Sequence, residues 1–197
     1  MTNIKTNEIL AFWPSSICPS FFNTSGNSVI SGNSNFVFEL EFKINSVSEN
    51  TGERGTILSI NPNYFVLHYY NENLSAIHMA TNGNETHNIH QDIPNLIKLN
   101  EPYKLKVINV DSSEFKVYID DVIVLSANNF NATKDPQILI GSETFSSDTP
   151  EVNSCDIDLY DFSLYHNDVL IAKHDFNKII HNKFVDLTNN CNFIHKL

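Results

Sequence analysis

From Asn35 to Asn45 the chain reads NFVFELEFKIN, and apolar residues return at every second position. Phe36, Phe38, Leu40, Phe42 and Ile44 fall on one face of an extended segment, while Val37, Glu39, Glu41 and Lys43 fall on the other. A period of two marks a strand with one face in a core and one face in water. Shorter runs of the same kind follow at 55–61, 64–70, 74–80, 86–93, 103–110, 115–120, 122–127, 137–141, 155–165 and 169–176. Asn, Gly, Asp and Pro separate them, as turns require. No window keeps a helical period for more than a turn or two; DFNKIIHNKF (175–184) is the best helical candidate. About eleven short strands without amphipathic helices between them predict an all-β protein, a two-sheet antiparallel β-sandwich of jelly-roll type.

The segment EFKVYIDDVIVLS predicts a hairpin. Phe115, Val117 and Ile119 point one way, Lys116, Tyr118 and Asp120 the other, and Asp120-Asp121 forms a two-residue turn of the primed type. Residues 1–28, with WPSSICPSFFNTSGNS, show no sustained period and read as an irregular lead-in that lays Phe12, Trp13 and Phe21 against a core. Residues 29–197 then form one domain, of a size that buries about 70% of its unfolded surface.

Composition narrows the function classes. About one residue in seven is Asn, a residue suited to turns and positive φ, and codon bias in an AT-rich genome accounts for the excess better than selection does. The formal net charge is −11, which argues against nucleic acid and anionic membrane as partners. Lys98, Lys104 and Lys106 form the one local concentration of positive charge, read as a solvated strand face. The three cysteines, Cys18, Cys155 and Cys191, cannot all pair within one chain and have no metal-site spacing. The start lacks the charged-then-apolar pattern of a signal peptide, so synthesis and retention in a reducing cytoplasm, or release by lysis, is expected.

The order NFVFELEFKIN, RGTILSIN, YFVLHYY, EPYKLKVINV, KVYIDD resembles the concanavalin A-like lectin/glucanase superfamily, in particular its laminin-G-like branch in microbial and bacteriophage proteins. Tyr118-Ile119-Asp120-Asp121 stands where that branch carries Tyr-hydrophobic-Asp/Asn-Gly, with Asp121 in place of Gly. CDIDLYDFSLYHND is similar to the closing strand, with Cys155 near the Gly position. HDFNKIIHNKFVDLTNNCNF resembles a D-x-S-G-N-x-N turn, with Thr188 and Asn189 where Ser and Gly are usual. The resemblance spans residues 30–193 and implies a jelly roll whose concave face or loop rim binds carbohydrate.

It also supplies a template for catalysis. Glycosidases of that superfamily place their acids at the ends of E-x-D-x-E on one strand face. From Glu39 the frame reads Glu-Leu-Glu-Phe-Lys, which puts Lys43 where the second acid belongs. The other carboxylate ladder is Asp156, Asp158 and Asp161; from Asp156 the frame reads Asp-Ile-Asp-Leu-Tyr, which puts Tyr160 there. Neither ladder completes the pair, so a glycoside hydrolase is disfavoured and no catalytic residue is expected. Asp156 and Asp158 remain candidates for Ca²⁺ through oxygen ligands and loop carbonyls. His87 and His90, three apart on a strand, point to opposite faces, and His78 joins them only from an adjacent strand; partly exposed structural histidines are expected.

Tyrosines offer the amphipathic surface on which sugars stack. Tyr70, Tyr118 and Tyr160 are the candidate carbohydrate-binding residues, with the sealing of sheet edges as the plainer role. The sequence therefore predicts a non-catalytic, lectin-like recognition module, binding a cell-surface glycan as part of a larger assembly such as a phage virion, with a homo-oligomer as one form of that assembly. The alternative is a structural or decoration protein that contacts other virion proteins and has no glycan ligand.

Overall fold

The computed structural model describes residues 2–4, 9–12, 35–47, 54–61, 65–70, 73–82, 85–111, 113–127, 137–140, 155–180, 183–186 and 193–196. These form fifteen strands and, among the described residues, no helix: β1 (Thr2–Ile4), β2 (Ile9–Phe12), β3 (Phe36–Val47), β4 (Arg54–Asn61), β5 (Phe65–Tyr70), β6 (Asn73–Asn82), β7 (Glu85–Pro94) and β8 (Pro102–Val110) come first. Then follow β9 (Glu114–Ile119), β10 (Val122–Ala127), β11 (Gln137–Ile140), β12 (Cys155–His166), β13 (Val169–Ile180), β14 (Lys183–Asp186) and β15 (Phe193–Lys196). The expected all-β antiparallel sandwich is what the chain forms.

The front sheet has the order β10-β9-β8-β3-β12-β13, and the back sheet runs β2-β11-β4-β5-β6-β7. The strands β14 and β15 join them in one hydrogen-bonded path, and β1 adds beside β12. Strand β13 carries the crossing: its register to β14 shifts between His174 and Ile179. The segment 175–184, the best helical candidate by sequence, is strand to Ile180. Strands β1 and β2 likewise fall inside the stretch expected to be irregular. Three or four residues are too few to show a period.

Alternation places the core. Phe36, Phe38, Leu40, Phe42 and Ile44 of β3 are all buried, as expected. They join Leu105, Val107, Phe115, Val117, Leu159 and Phe162 of the front sheet, and Ile57, Ile60, Phe65 and Leu67 of the back sheet, in one apolar cluster. The Phe65 and Phe115 rings meet edge-on across the two sheets at 5.5 Å. Two histidines belong to this interior and are not partly exposed. His68 lies 3.1 Å from the Thr56 hydroxyl, and His174 packs 5.7 Å from the Phe162 ring.

All seven positive-φ residues other than glycine among the described residues are Asn or Asp, the types whose short polar side chains best tolerate that region. Two hairpins use them in pairs. Asp120 and Asp121 have φ of 45° and 66° between β9 and β10, and Asn167 and Asp168 have 48° and 63° between β12 and β13. The pairing of Val122 with Ile119 confirms the two-residue primed turn. Asp120 is tied in twice: its N–H donates to the Lys104 carbonyl at 2.9 Å, and its Oδ1 accepts from the Lys104 N–H at 2.8 Å. Asp121→Gly is therefore expected to stabilise the fold by a few tenths to about 1 kcal/mol, read as a shifted denaturation midpoint. A destabilised variant would contradict this account of the turn.

Cys18 and Cys191 lie outside the described residues. Cys155 is fully buried on β12, and burial pushes its thiol well above the usual range. A raised value in the folded state means this contribution to stability is intact at neutral pH. It is lost as pH rises past roughly 8.5, where an unfolded thiol ionises. In a Cys18→Ala/Cys191→Ala background, Cys155 is expected to react with a thiol reagent only at the rate of unfolding. Prompt labelling of the native protein would show the site to be open.

Candidate functional site

On the solvent side of the front sheet an open groove of about 580 Å³ runs over β8, β3 and β12. Its floor follows from the pleat: wherever β3 sends Phe38, Leu40 and Phe42 inward, the residues between them face out. Three rows cross the strands. In the first, Lys106 of β8, Glu39 of β3, Ser163 of β12 and Lys173 of β13 stand in register. In the second, Lys104, Glu41 and Asp161 do so. In the third, Lys43 faces Asp158. The Asp120-Asp121 turn forms one wall.

The charges are unevenly matched. Lys106 Nζ lies 3.2 Å from Glu39 Oε1, and Lys173 Nζ lies 3.7 Å from Asp161 Oδ2. Both pairs are half-exposed, where an ion pair contributes about 0–1 kcal/mol. Asp161 Oδ1 also accepts the Phe162 N–H at 3.0 Å, which fixes its orientation. The Glu41 carboxylate has no hydrogen bond or ion pair to a described residue. Ser163 is only 7% exposed, lines the groove, and its hydroxyl has no hydrogen-bond partner among the described residues.

The juxtaposition of Glu41 with Asp161 depends on a bulge. Leu159 pairs with Phe42 and Asp161 with Glu41, so Tyr160 is an extra residue with no partner on β3. Simple alternation along CDIDLYD sends Asp161 to the core face. The bulge resets the phase and brings it out opposite Glu41. Cα atoms directly opposite in an antiparallel pair lie about 4.5–5.5 Å apart, so the two carboxylates share one short stretch of surface. The sequence reading grouped Asp161 with Asp156 and Asp158 and missed its pairing with Glu41 for this reason.

The remaining candidates are dispersed. Tyr118 lies on the outer face of β9 in register with Lys106, and Tyr160 occupies the bulge on β12 near Lys43. Two strands separate them, roughly 14 Å at a spacing of ~4.8 Å per strand. Tyr70 is exposed at the end of β5, in the back sheet. The three tyrosines therefore do not form one surface. Trp13 lies outside the described residues. Lys104 and Lys106 share the groove, while Lys98 is exposed in the segment before β8.

The Ca²⁺ candidates already have protein partners. Asp158 Oδ2 is 2.7 Å from Lys43 Nζ, and hydrogen bonding to Asp158 raises the pKa of that lysine. Asp156 Oδ1 accepts from Asn45 Nδ2 at 3.3 Å. Among the described residues, no three His, Cys, Asp or Glu side chains come together as a metal site would need. His78 is on β6, and His87 and His90 are on the adjacent β7; their side chains are not among the described ones.

No protein-family model matches the sequence, and no curated protein matches it. Solved structures do match the fold. Alginate lyase AlgAT5 from polysaccharide lyase family 7 superposes with a TM-score of 0.51 at 13% identity, over 74% of this chain and 66% of its own. The alginate lyase from Corynebacterium sp. gives 0.50 at 18% identity, over 74% and 66%. Alginate lyase A1-II′, of the same family, gives 0.55 at 12% identity, over 82% and 95%. The chain thus spans just under two thirds of the length of the first two. At these identities the likeness is one of fold, and the fold is the concanavalin A-like jelly roll.

This likeness corrects the expectation of a non-catalytic lectin-like module or a ligand-free decoration protein. That expectation took the sandwich as a recognition scaffold and relied on the absence of a paired acid. The solved structures reported above that share the sandwich are alginate lyases, so the fold gives no ground for excluding catalysis, and the bulge at Tyr160 sets Asp161 beside Glu41.

Proposed function

We propose that the protein is a carbohydrate-active enzyme that cleaves glycosidic bonds in the groove over β8, β3 and β12, with Glu41 and Asp161 as its working carboxylates. One observation carries this reading: the two acids stand in register on adjacent strands at the floor of an open groove. The fold it shares with alginate lyases supports the substrate class, as an analogy between folds. The groove supports the chemistry.

Retaining hydrolases hold their two carboxylates about 5–5.5 Å apart and inverting ones farther, so the register of Glu41 with Asp161 on adjacent strands favours retention of configuration. Glu41 serves as the acid and delivers a proton to the leaving oxygen. Asp161, oriented by the Phe162 N–H and Lys173, attacks the anomeric carbon as the glycosidic bond breaks, and an ester forms. Water then attacks the same carbon, Glu41 takes its proton, and the carboxylate of Asp161 leaves. A chain-end assay on a polysaccharide panel, with the anomer of the new end followed by NMR, tests this. New reducing ends with retained configuration are expected. Unsaturated ends would assign elimination to the groove in place of hydrolysis, and no cleavage of any glycan would remove the enzymatic reading.

A further inference from the structure

We infer that the groove continues onto an apolar row beside it, Ile108, Val37, Tyr165 and Leu170, where sugars beyond the cleavage point stack their C–H faces, so that the site selects long glycan chains. The inference rests on the reading of the groove as a glycan site. Register sets the row across four neighbouring strands. Ile108 of β8 pairs with Val37 of β3, Val37 with Tyr165 of β12, and Tyr165 with Leu170 of β13. On β3 and β12 these are the next outward positions after Glu39 and Ser163, which line the groove. Every other outward row described on these strands carries charge: Lys106, Glu39 and Lys173, then Lys104, Glu41 and Asp161, then Lys43 and Asp158. This row carries none from β8 to β13. Lys116 closes it at β9, with its Nζ 2.9 Å from Glu114 Oε1.

A second bulge builds the row. Leu164 pairs with Ala172 and Tyr165 with Leu170, so Ile171 is an extra residue in the register of β13. Strict alternation back from the buried Ala172 sends Leu170 to the core face. The bulge turns it outward instead, and it is 38% exposed. Val110, the next outward residue of β8 after Ile108, is also exposed. Apolar side chains held in water beside a groove are stabilised by being covered. A sugar ring matches them, with C–H groups on its faces and hydroxyls around its rim, and the Tyr165 ring adds an aromatic surface for it. The glycan already in the groove is the occupant that continuity favours. Val37 lies four residues along β3 from Glu41, about 13 Å at ordinary strand rise. A long chain cut at Glu41 therefore reaches the row, and a disaccharide at the cleavage point falls short of it.

The test uses the full chain, with titration calorimetry against dimers and hexamers of β-1,4-linked glucose, mannose and mannuronate. A hexamer of at least one of these is expected to bind about tenfold or more tightly than its dimer. Tyr165→Ala should weaken that hexamer by about two- to tenfold and leave the dimer unchanged. Tyr165→Phe keeps the ring and should match the parent, which separates lost stacking from lost folding. Turnover should show the same division, with KM for the long chain raised in the alanine variant and kcat kept. Hexamers bound no better than dimers, or hexamer affinity unchanged in Tyr165→Ala, overturns the inference and leaves the groove as a glycan site. So does a parent that dimerises in sedimentation while Tyr165→Ala does not, with glycan affinity unchanged, since a second copy then covers the row. Absence of binding by every oligomer, with no cleavage of any glycan, removes the groove reading along with the inference.

Discussion

Replacing Phe162 with alanine is expected to lower the unfolding free energy by about 3–5 kcal/mol, the usual cost of deleting a fully enclosed aromatic side chain. Phe162 is fully buried on β12, where its ring stacks on Phe38 at 6.2 Å and lies against His174 at 5.7 Å. Its Cα partners are Leu40 on β3 and His174 on β13, so the side chain holds the middle of the front sheet from both sides. Phe162→Leu should recover part of the loss, since it leaves a smaller cavity. Chemical denaturation measures both. A change below about 1 kcal/mol for the alanine variant would mean these rings do not pack as described.

Glu41→Gln and Asp161→Asn are each expected to reduce kcat on the cleaved glycan by about 10²–10⁴-fold, the range for a positioned acid or base. Both substitutions keep shape and hydrogen-bonding capacity. Both positions are partly exposed, so denaturation midpoints should stay close to that of the parent. KM should change little, because the interactions removed belong to bond cleavage. The double variant should be about as slow as the slower single one, since groups that act as a unit do not add. Turnover within about twofold of the parent in either variant would exclude that residue from the chemistry.

The sequence reading captured the fold where period and turn chemistry agreed. Alternation from Phe36 to Ile44 marked both faces of β3, and Asp120-Asp121 marked a turn whose φ angles are both positive. It failed where an element was too short to repeat, as in β1 and β2, or where spacing was ambiguous, as at Ile179 and Ile180 in β13. The groove was half visible. Glu39, Glu41, Lys104 and Lys106 were all legible as outward residues on half-buried strands. What brings Asp161 beside Glu41 is a register between strands more than a hundred residues apart, with one residue left over. Local pattern carries no information about that phase. For the same reason, Tyr118 and Tyr160, each legible as facing away from the apolar set of its own strand, lie with two strands between them in space.

Strand β2 lies between β11 and β15, with Ala11 facing Ile194 and Leu10 facing His195. During synthesis, therefore, the back sheet keeps an unsatisfied edge until β15 has left the ribosome. Such an edge can template pairing between nascent chains on one message. That edge stays open for as long as β15 is unmade, so the yield of soluble protein should depend on holdase supply during synthesis as well as on the stability of the finished sandwich.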